Sequence, residues 1–269
     1  MEAAMKKTYI SINRRQIILF LLCAVIIVVA FCTAMDGAAG SAETSVSKKL
    51  PIYSVGRDEN DKIISISFDA AWGNEDTQIL IDILEKYNIK ATFFLVGEWV
   101  DKYPESVKAL SDAGHEIMNH SDTHPHMSQL SAEEMAWEID SCNDKIEKIT
   151  GVRPMLFRAP YGEYNNTLIE VLEKKGMYCI QWDVDSLDWK DPAPADISSR
   201  VCRLAQPGSI CLFHNAAKNT PEALPILLEQ LLADGYTFVP ISQAIYRNNY
   251  RIAHDGRQWP VSASDASAS

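Results

Sequence analysis

The sequence predicts an α/β fold: a closed or nearly closed (β/α) barrel of about seven strands, preceded by a single N-terminal transmembrane helix. Three observations carry that expectation. Short β-rich runs alternate with amphipathic helical stretches along most of the chain, with short connections. Such alternation implies a parallel sheet whose strands are buried on both faces. Ahead of it, residues 17–35 form an apolar run without a single charge.

Nineteen residues just span the hydrocarbon core of a bilayer as a helix. Lys6, Lys7, Arg14 and Arg15 precede the run, so 1–16 reads as a cytoplasmic basic segment and 17–35 as a signal-anchor. The rest is then expected outside the cytoplasmic membrane. A cleaved, secreted form is the rival, because Gly37 to Ala42 offers small residues to a peptidase. Residues 36–51, rich in Ala, Gly and Ser, read as a linker. A folded domain is expected over 52–250 and a flexible tail over 251–269, whose Ser/Ala/Asp-rich part begins at Trp259.

Inside the domain the elements follow in order. Residues 63–68 read as a strand, and 76–88 as a helix with Ile79, Leu80, Ile83 and Leu84 on one side. The stretch 91–96 is the next strand. A helix over 104–113 carries Pro104 in its first turn, and 115–118 is again extended. The helix over 131–150 has Ser131 as N-cap with Glu134 three residues on, and Gly151 closes it. After Phe157-Arg158 come a helix over 166–175, a strand over 178–182, a helix over 195–205, a strand over 209–213, a helix over 221–234 and a last strand over 236–240. No G-x-G-x-x-G turn argues for a dinucleotide.

The 269 residues are 47% hydrophobic and carry a formal net charge of −11, enough to bury a full-sized core and without attraction to nucleic-acid phosphates. Cys142, Cys179, Cys202 and Cys211 include no CxxC pair, so no zinc–thiolate site is expected. Cys179 and Cys211 read as buried thiols, and a disulfide stays open. In a barrel, catalytic groups collect at the C-terminal strand ends. Asp69, the His120/His124 pair, Arg158 to Tyr161, the stretch Asp183 to Trp189, and His214 all follow predicted strands. On one helical turn, residues at i and i+4 face the same way, so His120 and His124 could share one divalent ion such as zinc. Asp183 and Asp185 read as loop hydrogen-bonders, and His115 as a packing residue. His126 could be an extra ligand, Trp72 either a sugar-stacking platform or a rim cap, and Trp99 and Trp137 core residues.

From about Lys62 to Tyr246, these fragments together resemble the polysaccharide deacetylase family, also called the NodB-homology domain or carbohydrate esterase family 4. All five of its short motifs stand in order. The version Ser67-Phe68-Asp69-Ala70-Ala71-Trp72-Gly73 is similar to the sporulation-associated branch. The resemblance implies a distorted (β/α) barrel and a metal-dependent hydrolase of linear amide C–N bonds. It would remove N-acetyl groups from GlcNAc or MurNAc of cell-wall glycan, with peptidoglycan the expected substrate. Asp69 matches the general base on the metal-bound water, His120 and His124 the metal ligands, and Arg158 the residue that orients the base. The Tyr161 N–H would help hold the oxyanion. Asp188 matches the acid that tunes a histidine, Trp189 and Leu212 shape the acetyl pocket, and His214 matches the general acid.

One departure stands out. Most members follow the base with a second, metal-binding aspartate; this chain has Ala70. Asp69 itself, or Glu75, Asp76 or Asp122, could supply the missing oxygen, or water could. The alternative is a silent glycan-binding protein. Hydrolysis of a non-sugar amide or cyclic imide is a third reading.

Overall fold

The structure, a computed structural model, describes residues 13–15 and 47–261. The chain divides into two units, Met1–Ser47 and Lys48–Ser269. The anchor expected over 17–35, and most of its flanking segment and linker, lie outside the described residues. Among the described residues no helix is long and apolar enough to cross a membrane.

The second unit opens with β1 (Ser54–Val55) and the long β2 (Ile63–Ala70). Helix α1 (Thr77–Lys86), β3 (Thr92–Leu95), the short α2 (Gly97–Lys102), α3 (Pro104–Asp112) and β4 (Glu116–Asn119) follow. Then come α4 (Ala132–Thr150), β5 (Leu156–Phe157), α5 (Asn166–Lys174), β6 (Tyr178–Cys179) and β7 (Val184–Asp185). Helix α6 (Pro194–Leu204), β8 (Ile210–His214), α7 (Thr220–Ala233), β9 (Thr237–Phe238) and α8 (Ile241–Ala244) complete the alternation.

The main sheet runs β6-β5-β4-β3-β2-β8-β7, with β9 pairing the start of β2. Every pairing in it is parallel. Its two ends, β6 and β7, follow one another in the chain without pairing. The barrel expected from the β/α alternation is therefore a half-barrel, open along that seam. Four of its strands have only two residues each, too few to close a ladder.

Strand period decides which side chains face the site. Ile64, Ile66, Phe68 and Ala70 join one apolar cluster with residues of α1, α2, α4, α6 and α7. Ser65, Ser67 and Asp69 alternate with them, all buried. Phe68 stacks on Phe93 at 4.8 Å and meets Phe213 at 5.6 Å, which ties β2 to both neighbours. Each such aromatic pair adds about 0.5–1.5 kcal/mol beyond its burial. Helix α4 begins with the expected capping box between Ser131 and Glu134, and Gly151 ends it in the left-handed region at φ 73°.

Several expectations need correction. The tail assigned to 251–269 contains β10 (Tyr250–Ile252) and β11 (Arg257–Pro260), which pair with each other and with β1. Trp137 is exposed, because the buried stripe of α4 runs through Met135, Glu138, Ile139, Cys142 and Ile146. Ile79 is likewise exposed, and α1 buries Leu80, Ile81 and Leu84 instead. Trp99 is buried as expected. The four described cysteines are free thiols.

Candidate active site

Register brings the ends of β2 and β8 together: Asp69 is the ladder partner of His214. The motifs that follow β4, β5 and β7 arrive beside them. A cavity of about 430 Å³ results, lined by Asp69, His120, His124, Tyr161, Trp189, Leu212 and His214 among the expected residues. Trp72, Trp182 and Asp185 line it as well. Arg158 and Asp188 stand behind this wall and act through the groups that form it.

Arg158 is fully buried. Its Nη1 donates to Asp69 Oδ1 at 2.8 Å and Nη2 to the Gln181 carbonyl at 3.2 Å, while the guanidinium lies 4.1 Å over the Phe94 ring. Burial alone would push the Asp69 carboxyl up. The charge of Arg158, with those of His120 and His214, overrides it and holds the group below the usual carboxylate range. The other oxygen, Oδ2, lies 3.6 Å from His120 Nε2.

The histidine pair is not on a helical turn. Residues 120–126 form an irregular loop after β4, with Ser121 at φ 68° and His124 at φ 60°. Two left-handed residues, neither a glycine, swing the second ring back toward the first, and the ring centroids are 5.1 Å apart. Such conformations cost of order 1–3 kcal/mol each and persist only where the surroundings impose them. The Arg158 carbonyl accepts from His120 Nδ1 at 2.8 Å, so that nitrogen carries the proton and Nε2 keeps its lone pair toward the cavity. Burial pushes both imidazoles down, His124 to about 4 with the help of His120, so both are neutral near pH 7. Neutral imidazole is the ligating form.

Asp188 is fully buried. Oδ1 accepts from His214 Nδ1 at 2.8 Å, and Oδ2 accepts from the His214 N–H at 2.9 Å and from Thr220 Oγ1 at 2.7 Å. Burial lowers the proton affinity of His214. The Asp188 bond and the charges of Asp69, Asp188 and Asp185 outweigh it and raise the pKa above the ordinary histidine value. With Nδ1 occupied, Nε2 is the atom that can exchange a proton with a molecule in the cavity.

Two neutral imidazoles and one ionised carboxylate with an uncommitted oxygen suit a divalent cation in donor chemistry. The set is nonetheless short of a preformed cage. Among the described residues no group of three or more His, Cys, Asp or Glu side chains is arranged to hold a metal. The substitutes considered for the missing carboxylate are turned elsewhere. Asp122 pairs with Lys145 at 2.7 Å, Asp76 accepts from the Ala216 N–H at 2.8 Å, and Glu75 accepts from the Asn74 N–H at 2.9 Å. His126 is bound to Glu163 at 3.0 Å and stacks on Tyr161, outside the cavity. His115 packs on Phe93 as expected, and burial, with Lys90 nearby, pushes it down to about 4.

Trp72 is exposed at the rim, edge-on to His124 at 5.8 Å, and its carbonyl is pinned by Trp99 Nε1 and Asn215 Nδ2. Tyr161 sits at φ 60°, a strained backbone at the point where the resemblance places the oxyanion donor. Asp183, read as a loop hydrogen-bonder, accepts from Ser209 Oγ and the Ile210 N–H, and burial pushes it up to about 6. The sequence reading missed Trp182 as a wall of the cavity, and the only signal was its place at a strand exit.

The polysaccharide deacetylase family profile matches residues 56–180. The peptidoglycan-N-acetylmuramic acid deacetylase PdaA of Bacillus subtilis is 30% identical over 218 residues, covering 80% of this chain and 82% of PdaA. The same organism's PdaC, with the same activity in its name, is 37% identical over 69% of this chain, and the chain spans only 39% of PdaC's length. Among solved structures, BA3943 of Bacillus anthracis, described as a CE4 family pseudoenzyme, superposes with TM-score 0.69 at 35% identity, covering 73% of this chain and 69% of that one. A BA3943 mutant described as having restored enzymatic activity superposes equally well, at 36% identity over 73% of this chain and 71% of the mutant.

Proposed function

The chain belongs to the polysaccharide deacetylase family, and from that premise we propose that it is a metal-dependent N-deacetylase of cell-wall glycan, acting on peptidoglycan during sporulation. One observation carries the reading: an acid and a base, each locked by its own buried partner, face one cavity from paired strands. A protein that only binds sugar has no use for that arrangement. Asp69 Oδ2 takes the proton of the attacking water while Arg158 keeps the carboxylate ionised. His214 gives its Nε2 proton to the departing amine, and Asp188 keeps that proton available near neutrality. The Tyr161 N–H donates to the acyl oxygen as charge develops on it. Trp189 and Leu212 close around the methyl group. His120 and His124 would hold the cation, zinc being the best fit to two imidazoles. When bound, it supplies Lewis acidity that polarises the acyl oxygen and eases loss of a proton from water.

Acetate release from peptidoglycan or chito-oligosaccharide tests this. Release is expected, with loss on chelation and recovery on adding zinc; no release from any N-acetylated glycan, with metal supplied, ends the proposal. The anchor over 17–35 belongs to the same reading, with the catalytic unit outside the cytoplasmic membrane.

The pH profile provides a separate check. Activity needs Asp69 ionised, with its pKa held below the usual range, and His214 protonated, with its pKa raised. The plateau of kcat/KM should therefore extend past pH 6.5 before falling as His214 loses its proton. Asp188→Asn removes the group that raises His214, so its alkaline limb should move to lower pH. An unmoved limb would take His214 out of the acid role.

A second reading has its own observation. Ala70 is buried among apolar neighbours where most of the family carries a metal-binding carboxylate, and a silent glycan-binding protein follows if the remaining donors do not retain the ion.

A further inference from the structure

We propose that Glu138, on α4 and outside the cavity wall, is the positioning residue that sets His120 and His124 on a common ion. The inference rests on the reading above that those two imidazoles hold the cation.

Past His120, whose N–H continues the ladder to the Leu95 carbonyl at 3.0 Å, the turn to His124 has no ladder or helix to satisfy its backbone, so each polar group needs a dedicated partner. Asp122 and Thr123, midway between the two rings, send both N–H groups to Glu138 Oε2 at 2.8 and 2.9 Å. The Thr123 hydroxyl donates to Oε1 at 2.7 Å. On the opposite side, Gly97 N–H donates to the Ser121 carbonyl at 3.0 Å and Glu98 N–H to the Asp122 carbonyl at 2.9 Å. A Cβ at Gly97 would run into Asp122 Oδ1, so a glycine is what lets α2 approach this closely. Asn119 Oδ1 accepts from Ser121 N–H at 2.7 Å, and Ser121 Oγ accepts from His124 N–H at 3.0 Å.

The turn is thus gripped between α2, which takes its carbonyls, and Glu138, which takes its central amides. A glutamate on a helix normally faces water. This one is 5% exposed and spends both oxygens on a segment 15 and 16 residues away. The two left-handed residues lie just before and just after the amides it holds. Releasing those amides frees the loop to relax toward ordinary φ, which turns the second ring away from the first.

Titration with Co²⁺, followed by visible absorbance, and competition with Zn²⁺ test the idea in the whole chain, alongside amide hydrogen exchange. Glu138→Ala is expected to weaken Co²⁺ binding by about 10–100-fold, as loss of an outer partner of a ligand does. Glu138→Gln, whose amide oxygen still accepts from Asp122 and Thr123, should restore most of it. In Glu138→Ala, exchange protection should fall at Asp122 and Thr123 while the amides of α4 keep theirs, a pattern that general loosening does not give. Wild-type affinity in Glu138→Ala overturns the proposal. If the wild type itself binds neither ion, the metal reading fails, and exchange alone decides the positioning role: unchanged protection at residues 121–124 overturns it. Should Glu138→Ala fail to fold, Glu138→Asp, which keeps the charge but withdraws it by one methylene, is read by the same two measurements.

Discussion

Asp69→Asn is expected to lower kcat/KM for N-acetylated glycan by about 10²–10⁴-fold, the usual contribution of a positioned general base. The asparagine keeps the shape and one oxygen for Arg158 Nη1 but can no longer accept a proton from water. The same change strips the fully buried guanidinium of its counter-charge. Breaking one side of a buried pair costs about 3–5 kcal/mol when nothing else compensates. Here Gln181 O and the Phe94 ring still hold Arg158, so the lower end of that range is expected. Acetate release at a temperature where circular dichroism shows the variant folded separates the two effects. A folded variant that releases acetate at the parental rate would remove Asp69 from the base role.

Much of this site was legible because its residues end strands. The strands themselves show as apolar runs, and parallel pairing places their C-terminal ends at one mouth, so Asp69, His120, Arg158, Asp188 and His214 could be located together from order alone. How the loops hold them was not legible. The His120/His124 spacing suggests a helical turn, whereas the rings meet through left-handed Ser121 and His124, and neither residue type announces a positive φ. Glu138 carries no sequence signal either, since a glutamate on an amphipathic helix is ordinarily solvated and only the tertiary contact makes it different. Other misses were avoidable. Asp255-Gly256 between two β-prone runs is a hairpin signal, and Gly256 takes φ 81° between β10 and β11. Trp137 falls off the i, i+4 stripe that its neighbours Met135, Ile139 and Cys142 define. The closure of the barrel could not be judged, because it depends on how few residues β5, β6 and β7 commit to the ladder.

Ala70→Asp should change stability and metal affinity in opposite directions, and that pairing is what makes it informative. Ala70 is 1% exposed, in the apolar cluster that also contains Leu95, Val96 and Trp99. A carboxylate there without a cation is an unpaired buried charge. The metal-free variant should therefore unfold more easily, by about 1–3 kcal/mol in chelator, within the usual range for a point substitution. With zinc present the sign reverses. The added carboxylate supplies the ligand that His120 and His124 lack, and an affinity gain of at least about tenfold is expected. Binding to the folded form alone stabilises by RT ln(1 + [L]/Kd), so the rise in Tm on adding zinc should be larger in the variant than in the parent. Calorimetry in chelator and in graded zinc reads both effects in one series. Equal zinc-induced shifts in the two proteins would show that position 70 does not reach the ion. Acetate release completes the comparison: a modest gain over an active parent fits a weakly loaded deacetylase, whereas activity found only in the variant assigns the parent to the silent, glycan-binding reading.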